Sequence, residues 1–340
     1  MSVSKAIDSL KQSVLTFPEQ TQVAIAIVRK KAVEYYGFIN RNGGSEEIDN
    51  RLFAFEIGSV TKAFTGYVLA QLVNEKKVTL DDLAQAYLPF PLLNEPPITL
   101  GQLAMHTSGL QRMPHDFETS HNYDEKDPFV NYTEEHLAEY FSHNLRMDSA
   151  PGEKYQYSNL GSGLLSYIIA RVEGKPFAEV VAERIFRPLK MLHSSFSVHD
   201  LKTTIVKGID DKGSFCEHWD GGILNGCVGI IATVEDMARF TIAICDPENA
   251  IANLQSEEYF VVDEAVKTNL GWSERLILPE NIRMQGINGG TGGYGASVLV
   301  NREFQCGVVL LSNCWPWHYL DRIYPLGKQL LIELSKEIEE

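Results

Sequence analysis

Residues that favour β-strands gather at the two ends of this chain. Residues 23–28 and 32–39 are runs of β-formers separated by Arg29, Lys30 and Lys31, the pattern of a hairpin, and a strand-like run at 52–57 ends at Gly58 and Ser59. Strands return at 296–300 and 307–311. In between, apolar residues recur mostly at helical spacing. The run 61–74 carries Phe64, Val68, Leu69 and Leu72 inward, and further helices are expected at 80–87, 100–105, 134–141, 161–172 and 177–185. The chain opens on a short amphipathic helix with Ile7, Leu10 and Val14. It ends on one that sets Leu326, Leu330, Leu334 and Ile338 four apart on one face. The order helix, strands, helices, strands, helix suggests an α/β sandwich built from both ends of the chain, 1–77 with 220–340. A mainly helical subdomain, 78–219, would be inserted between its halves.

Composition narrows the class of function. At 340 residues the chain can bury a sizeable core, and 44% hydrophobic with 22% charged residues excludes a largely disordered, collagenous or coiled-coil chain. Acidic residues outnumber basic ones, 45 to 30, for a formal charge of −15, which disfavours nucleic acid and anionic membrane as partners. The five cysteines, Cys216, Cys227, Cys245, Cys306 and Cys314, form no C-x-x-C pair and read as packed small hydrophobes. His115, His121, His136 and His143 show no H-E-x-x-H spacing, so neither a metal nor another cofactor is expected. No apolar run approaches the ~20 residues of a membrane helix. The amino end lacks a basic segment followed by an apolar one, so the expected location is cytoplasmic, although a processed exported chain would look the same.

Three local patterns can carry chemistry. Ser59-Val60-Thr61-Lys62 places a serine and a lysine three apart at the start of an apolar helix, on one face, where the ammonium can approach the hydroxyl. A serine is a poor nucleophile until a neighbour accepts its proton, and the helix N-terminus favours negative charge developing there. The plainer reading is an N-cap serine with a surface lysine. In Tyr157-Ser158-Asn159, the tyrosine and asparagine are two apart in an irregular turn and can face one cleft; the plainer reading is a helix entry capped by Asn159. The stretch Asn288-Gly289-Gly290-Thr291-Gly292-Gly293-Tyr294-Gly295 leads into a strand, and its glycines permit close backbone approach. It contains G-x-G-x-x-G, but a dinucleotide fingerprint follows a strand and opens a helix, whereas this one opens a strand. No G-x-S-x-G occurs. The polar stretch 111–133 is long enough to be a functional rim or a surface loop.

Taken together, S-x-x-K at Ser59, Y-S-N at Tyr157 and the glycine-rich turn resemble the class C β-lactamase-related serine hydrolases, a family that includes penicillin-binding DD-peptidases and esterases. The segment Leu103 to Leu110, the Tyr157 to Leu165 helix entry and the segment Gly229 to Met237 are similar to the family's patterns, in the same order, over about 15–335. The resemblance implies a β-lactamase-like (DD-peptidase-like) fold, α/β plus all-α, with an antiparallel sheet flanked by terminal helices. It also implies roles. Ser59 would be the acylated nucleophile and Lys62 its proton acceptor or electrostatic partner. Tyr157 would be general base and then acid, and Asn159 would orient Lys62 and the substrate amide. The amides of Ser59 and Gly290 would form the oxyanion hole.

Ile287, Asn288 and Gly289 stand where β-lactamases of this family carry K-T-G and related members H-N-G. Isoleucine offers neither charge nor hydrogen bond, so weak or absent β-lactamase activity is expected, with Arg283 or Arg112 as alternative cations. Thr291, His218 and Asn313 are further candidate substrate-binding residues; Trp219, Trp315 and Trp317 are candidate cleft walls, and His106 reads as structural. The expected function is hydrolysis of an ester, amide or D-amino-acid peptide bond in a small-molecule or peptide substrate. The alternative is a catalytically decayed binding or sensor protein.

Overall fold

In the computed structural model, which describes residues 2–339, the strand-rich ends of the chain share one sheet. The amino-terminal strands are β1 (Gln22–Arg29), β2 (Ala32–Arg41), β3 (Gly44–Glu47) and β4 (Ala54–Glu56). After the helical middle come β5 (Ile231–Thr233), β6 (Tyr259–Val261), β7 (Val266–Asn269), β8 (Ser273–Ile277), β9 (Ile282–Gly290), β10 (Gly295–Asn301) and β11 (Cys306–Ser312). Nine strands form an antiparallel sheet in the order β3-β2-β1-β11-β10-β9-β8-β7-β6. The two ends of the chain meet at its centre, where β1 pairs with β11 in the register Ile25↔Leu310.

The central strands are apolar at nearly every position because both faces are covered. Val23, Ile25 and Ile27 of β1 pack with Leu10 and Leu330 of the terminal helices Val3–Ser13 and Tyr324–Glu339. Alternate residues Ala24, Ala26 and Val28 face the opposite way, into a larger core shared with the helices Val234–Cys245 and Thr61–Asn74. The Thr61–Asn74 helix keeps the expected bounds but has no single inward stripe. Every residue from Thr61 to Ala70 is buried, because the helix lies inside the molecule, with Phe64 stacked on Phe240 at 3.9 Å between centroids.

Several expectations are corrected. The 52–57 strand shrinks to β4, which pairs with β5 outside the main sheet. The helix expected at 80–87 is a single turn, Ala84–Tyr87, because the Asp82 carboxylate instead accepts bonds from the Thr79 amide (2.9 Å) and hydroxyl (2.6 Å). Strands β6 to β9 lacked a periodic signal: β6 to β8 lie at the sheet's edge, short and unevenly buried. The glycine-rich stretch is a hairpin, with Asn288 to Gly290 closing β9 before β10 begins at Gly295. The chain from Ser195 to Cys216 runs along β4, β5 and this hairpin, through bonds such as Val206 N–H to Ala54 O and Ile209 N–H to Gly293 O. No helix among the described residues is long and apolar enough to cross a membrane.

Candidate active site

Ser59 occupies a tight turn, Gly58–Val60, that leads into the Thr61–Asn74 helix. Its hydroxyl oxygen has two close neighbours, the Tyr157 hydroxyl at 2.7 Å and the Lys62 ammonium at 3.0 Å. Lys62 is 2% exposed, so its ammonium is held by the protein rather than by water; it also donates to the Cys227 carbonyl at 2.7 Å and stands 5.0 Å from the Tyr157 ring centroid. Asn159 does not supply that second bond, contrary to expectation. It lines the cleft, and its side-chain oxygen is buried with no hydrogen-bond partner among the described residues.

The strand β9 presses its backbone against the Ser59 turn, and this contact explains the glycines. A Cβ on Gly289 would lie 1.9 Å from the Ile57 carbonyl oxygen, and one on Gly58, whose φ is +50°, would lie 2.5 Å from the Gly290 nitrogen. Only bare backbone lets the Ser59 turn and the end of β9 come so near one another.

Tyr157 is placed by neighbours on both sides. The His106 carbonyl accepts the Gln156 amide at 2.7 Å, its ring Nδ1 accepts the Ser158 amide at 3.2 Å, and the ring lies 4.6 Å from the Tyr157 ring. His106 is buried, and burial, reinforced by Lys62, pushes its pKa down to about 3, which keeps the ring neutral and Nδ1 an acceptor. The cap of the helix Asn159–Glu173 is Ser158, whose hydroxyl accepts the Gly161 amide at 2.8 Å, and not Asn159. The Arg112 carbonyl accepts the Asn159 amide at 2.9 Å and the Leu160 amide at 3.1 Å, tying the 111–133 loop to the tyrosine-bearing turn.

A cavity of about 590 Å³ opens over Ser59, Tyr157, Asn159 and the segment Asn288 to Thr291. Its walls include Trp219, Trp315 and Trp317, as expected, and also Phe117, Tyr123 and Phe129 of the 111–133 loop, which sequence reasoning missed. The signal was there: four aromatic residues, Phe117, Tyr123, Phe129 and Tyr132, in a polar loop that has no helix or strand of its own to pack. Trp219 is held by its amide, which donates to the Glu56 carboxylate at 3.2 Å, and by Phe129 at 5.7 Å between ring centroids.

The remaining candidates fall elsewhere. Ile287 packs on the core and faces a smaller cavity of about 220 Å³ on the His106 side of Tyr157, beside Tyr155 and Arg275. His218 turns to the buried Glu56 carboxylate, 3.0 Å from its Nδ1, and does not line the main cavity. Asn313 is buried as a strut: it accepts the Gln22 amide at 2.6 Å and donates to the Gln20 and Lys207 carbonyls. Of the two alternative cations, Arg112 lines the main cavity, whereas Arg283 is exposed on β9 and paired with Glu274 at 3.2 Å.

Comparison with known proteins bears on the family and the fold. A sequence profile of the beta-lactamase family matches residues 16–329. The chain is 32% identical over 188 residues to the D-alanyl-D-alanine-carboxypeptidase/endopeptidase AmpH of Escherichia coli, the match covering 54% of this chain and 47% of that protein. It therefore spans about half the length of the E. coli relatives it matches. A beta-lactamase of Pseudomonas fluorescens is 23% identical over 92% of this chain and 93% of its own. Among solved structures, a beta-lactamase/D-alanine carboxypeptidase from Pseudomonas syringae superposes with a TM-score of 0.78, at 21% identity over 97% of this chain and 98% of its own. A class C beta-lactamase superposes equally well, TM-score 0.78, at 19% identity over 97% and 95%. The chain belongs to the beta-lactamase family.

Proposed function

We propose that the cleft hydrolyses an ester, amide or D-amino-acid peptide bond through an acyl-enzyme on Ser59. One observation carries this reading: a serine at a helix N-terminus whose oxygen lies within hydrogen-bond reach of both a tyrosine hydroxyl and a buried lysine. In the first step Ser59 Oγ bonds to the substrate carbonyl carbon, and its proton passes to the Tyr157–Lys62 pair. The carbonyl's π electrons move to its oxygen, where the Ser59 and Gly290 amides would receive the charge. Collapse of this intermediate breaks the bond to the leaving group, which takes the proton from Tyr157. Water then attacks the acyl carbon and gives a proton to the same pair; the bond from that carbon to Ser59 Oγ breaks, Oγ takes the proton back, and the acid leaves.

The names of the relatives, a carboxypeptidase/endopeptidase and a beta-lactamase, bracket acyl transfer of this type. Esterase or peptidase activity ranks ahead of β-lactam hydrolysis because Ile287 brings no charge to β9. A catalytically decayed binding protein is the weaker reading, since Ser59, Lys62 and Tyr157 all keep their mutual contacts. The test is labelling with a fluorophosphonate probe beside a screen of p-nitrophenyl esters, nitrocefin and D-aminoacyl amides. Labelling and turnover of at least one substrate, both lost in Ser59→Ala, are expected. A folded protein that does neither contradicts the proposal.

A further inference from the structure

Two charged side chains line the main cavity, Arg112 and Glu118. Arg112 forms no ion pair among the described residues, not even with Glu118, and its guanidinium makes no hydrogen bond among them either. It is nevertheless not a loose surface group. Its backbone carbonyl is bonded to the Asn159 and Leu160 amides, and its guanidinium carbon stands 5.2 Å from the Tyr157 ring centroid. Stacking on an aromatic face holds a guanidinium in place while leaving its in-plane N–H groups free for an acceptor. Asn159 and Thr291, lining the same cavity, each have a buried side-chain oxygen with no partner among the described residues. The site thus has a stationed cation and two unanswered polar atoms beside aromatic walls.

We propose that Arg112 is the specificity-determining residue of this cleft. It would receive a carboxylate carried on the acyl part of the substrate, whose apolar body lies against Phe129, Trp219 and Trp317. This reading rests on the proposed hydrolase function and names its substrate class, an acyl donor with an anionic end. A planar guanidinium pairs with both oxygens of a carboxylate, which a neutral isoleucine on β9 cannot do. Arg112 thereby places charge recognition on the 111–133 loop instead of the strand.

The test compares mono-p-nitrophenyl adipate with p-nitrophenyl hexanoate, which differ by a carboxylate in place of a methyl group. Arg112→Ala should lower the ratio of their kcat/KM values by about 10- to 100-fold, mainly through KM of the adipate. Arg112→Lys should restore part of that ratio, and Arg112→Glu should depress it further. Arg275→Ala, in the smaller cavity, should leave it within about twofold. A ratio unmoved by Arg112→Ala and Arg112→Glu, or moved by Arg275→Ala instead, overturns the proposal.

A second arm does not depend on turnover. In the Ser59→Ala protein, tryptophan fluorescence titrations should show phenylacetate binding about tenfold more tightly than phenylacetamide, and Arg112→Ala should abolish the preference. Equal binding of the two ligands in both proteins overturns the assignment of Arg112. An Arg112-dependent preference in a protein that turns over no ester supports the assignment and places the failure in the hydrolase reading.

Discussion

At the floor of the cleft, Ser59, Lys62 and Tyr157 lie within contact of one another, and Lys62 is further fixed by the Cys227 carbonyl. This floor is clamped between a buried helix and β9, with backbones so close that Gly58 and Gly289 have no room for a side chain. The wall formed by 111–133 and the Trp219 segment is held differently. It relies on ring contacts such as Phe117 with Phe129 and on scattered hydrogen bonds such as the Asp220 amide to both oxygens of the Asp127 carboxylate, and the guanidinium of its Arg112 is left unpaired. The difference separates two tasks. The floor is preorganised by the core and would run the chemistry whatever the acyl group, whereas the wall offers aromatic surface and charge that select the acyl group.

This division predicts different kinetic signatures. Tyr157→Phe removes only the hydroxyl 2.7 Å from Ser59 Oγ and should lower kcat by about 10²- to 10⁴-fold with KM little changed. A loss confined to KM would show that the hydroxyl binds and does not transfer a proton. Trp219→Ala, in the wall, should have the opposite profile, raising KM for esters of bulky acyl groups by about tenfold while kcat moves by less than about threefold. If it lowers kcat as far as Tyr157→Phe does, floor and wall are one unit and the comparison fails.

A smaller effect concerns stability and pH. His106 is neutral in the fold, its pKa pushed from 6.5 down to about 3 by burial and by Lys62, so between these values the unfolded chain binds a proton that the fold refuses. Its contribution is present above pH 6.5 and is lost as pH falls toward 3, by up to about 1.4 kcal/mol per pH unit. Denaturant titrations from pH 7 to pH 5 should show this decline. His106→Asn, which tolerates the left-handed backbone at φ +59°, should flatten it. An unchanged slope in the variant would assign the decline to other groups.

The floor was largely legible in the sequence because its signals are local. A serine and a lysine three apart on a helix must share a face, and consecutive glycines announce a close approach even when its target is unknown. That the target is the Ile57–Ser59 backbone, and that Lys62 leans on Cys227 and not Asn159, had no signal, since a main-chain carbonyl leaves no mark on residue type. The sheet's centre was readable because β1, β10 and β11 are continuous apolar runs. Strands β6 to β8 were missed because they are short and mix polar and apolar residues without alternation. His218 and Asn313 looked like cleft residues for their chemistry, yet their partners, Glu56 and the Gln20, Gln22 and Lys207 backbones, lie far away in sequence.

The central claim is that Ser59, and no other residue, is the nucleophile of the cleft. Intact-protein mass spectrometry after incubation with the fluorophosphonate, followed by peptide mapping, tests it most directly. The account predicts one stoichiometric adduct on the peptide that carries Ser59, absent from Ser59→Ala and slowed by at least about 100-fold in Tyr157→Phe. An adduct on a different residue, or none in the folded protein, would contradict it.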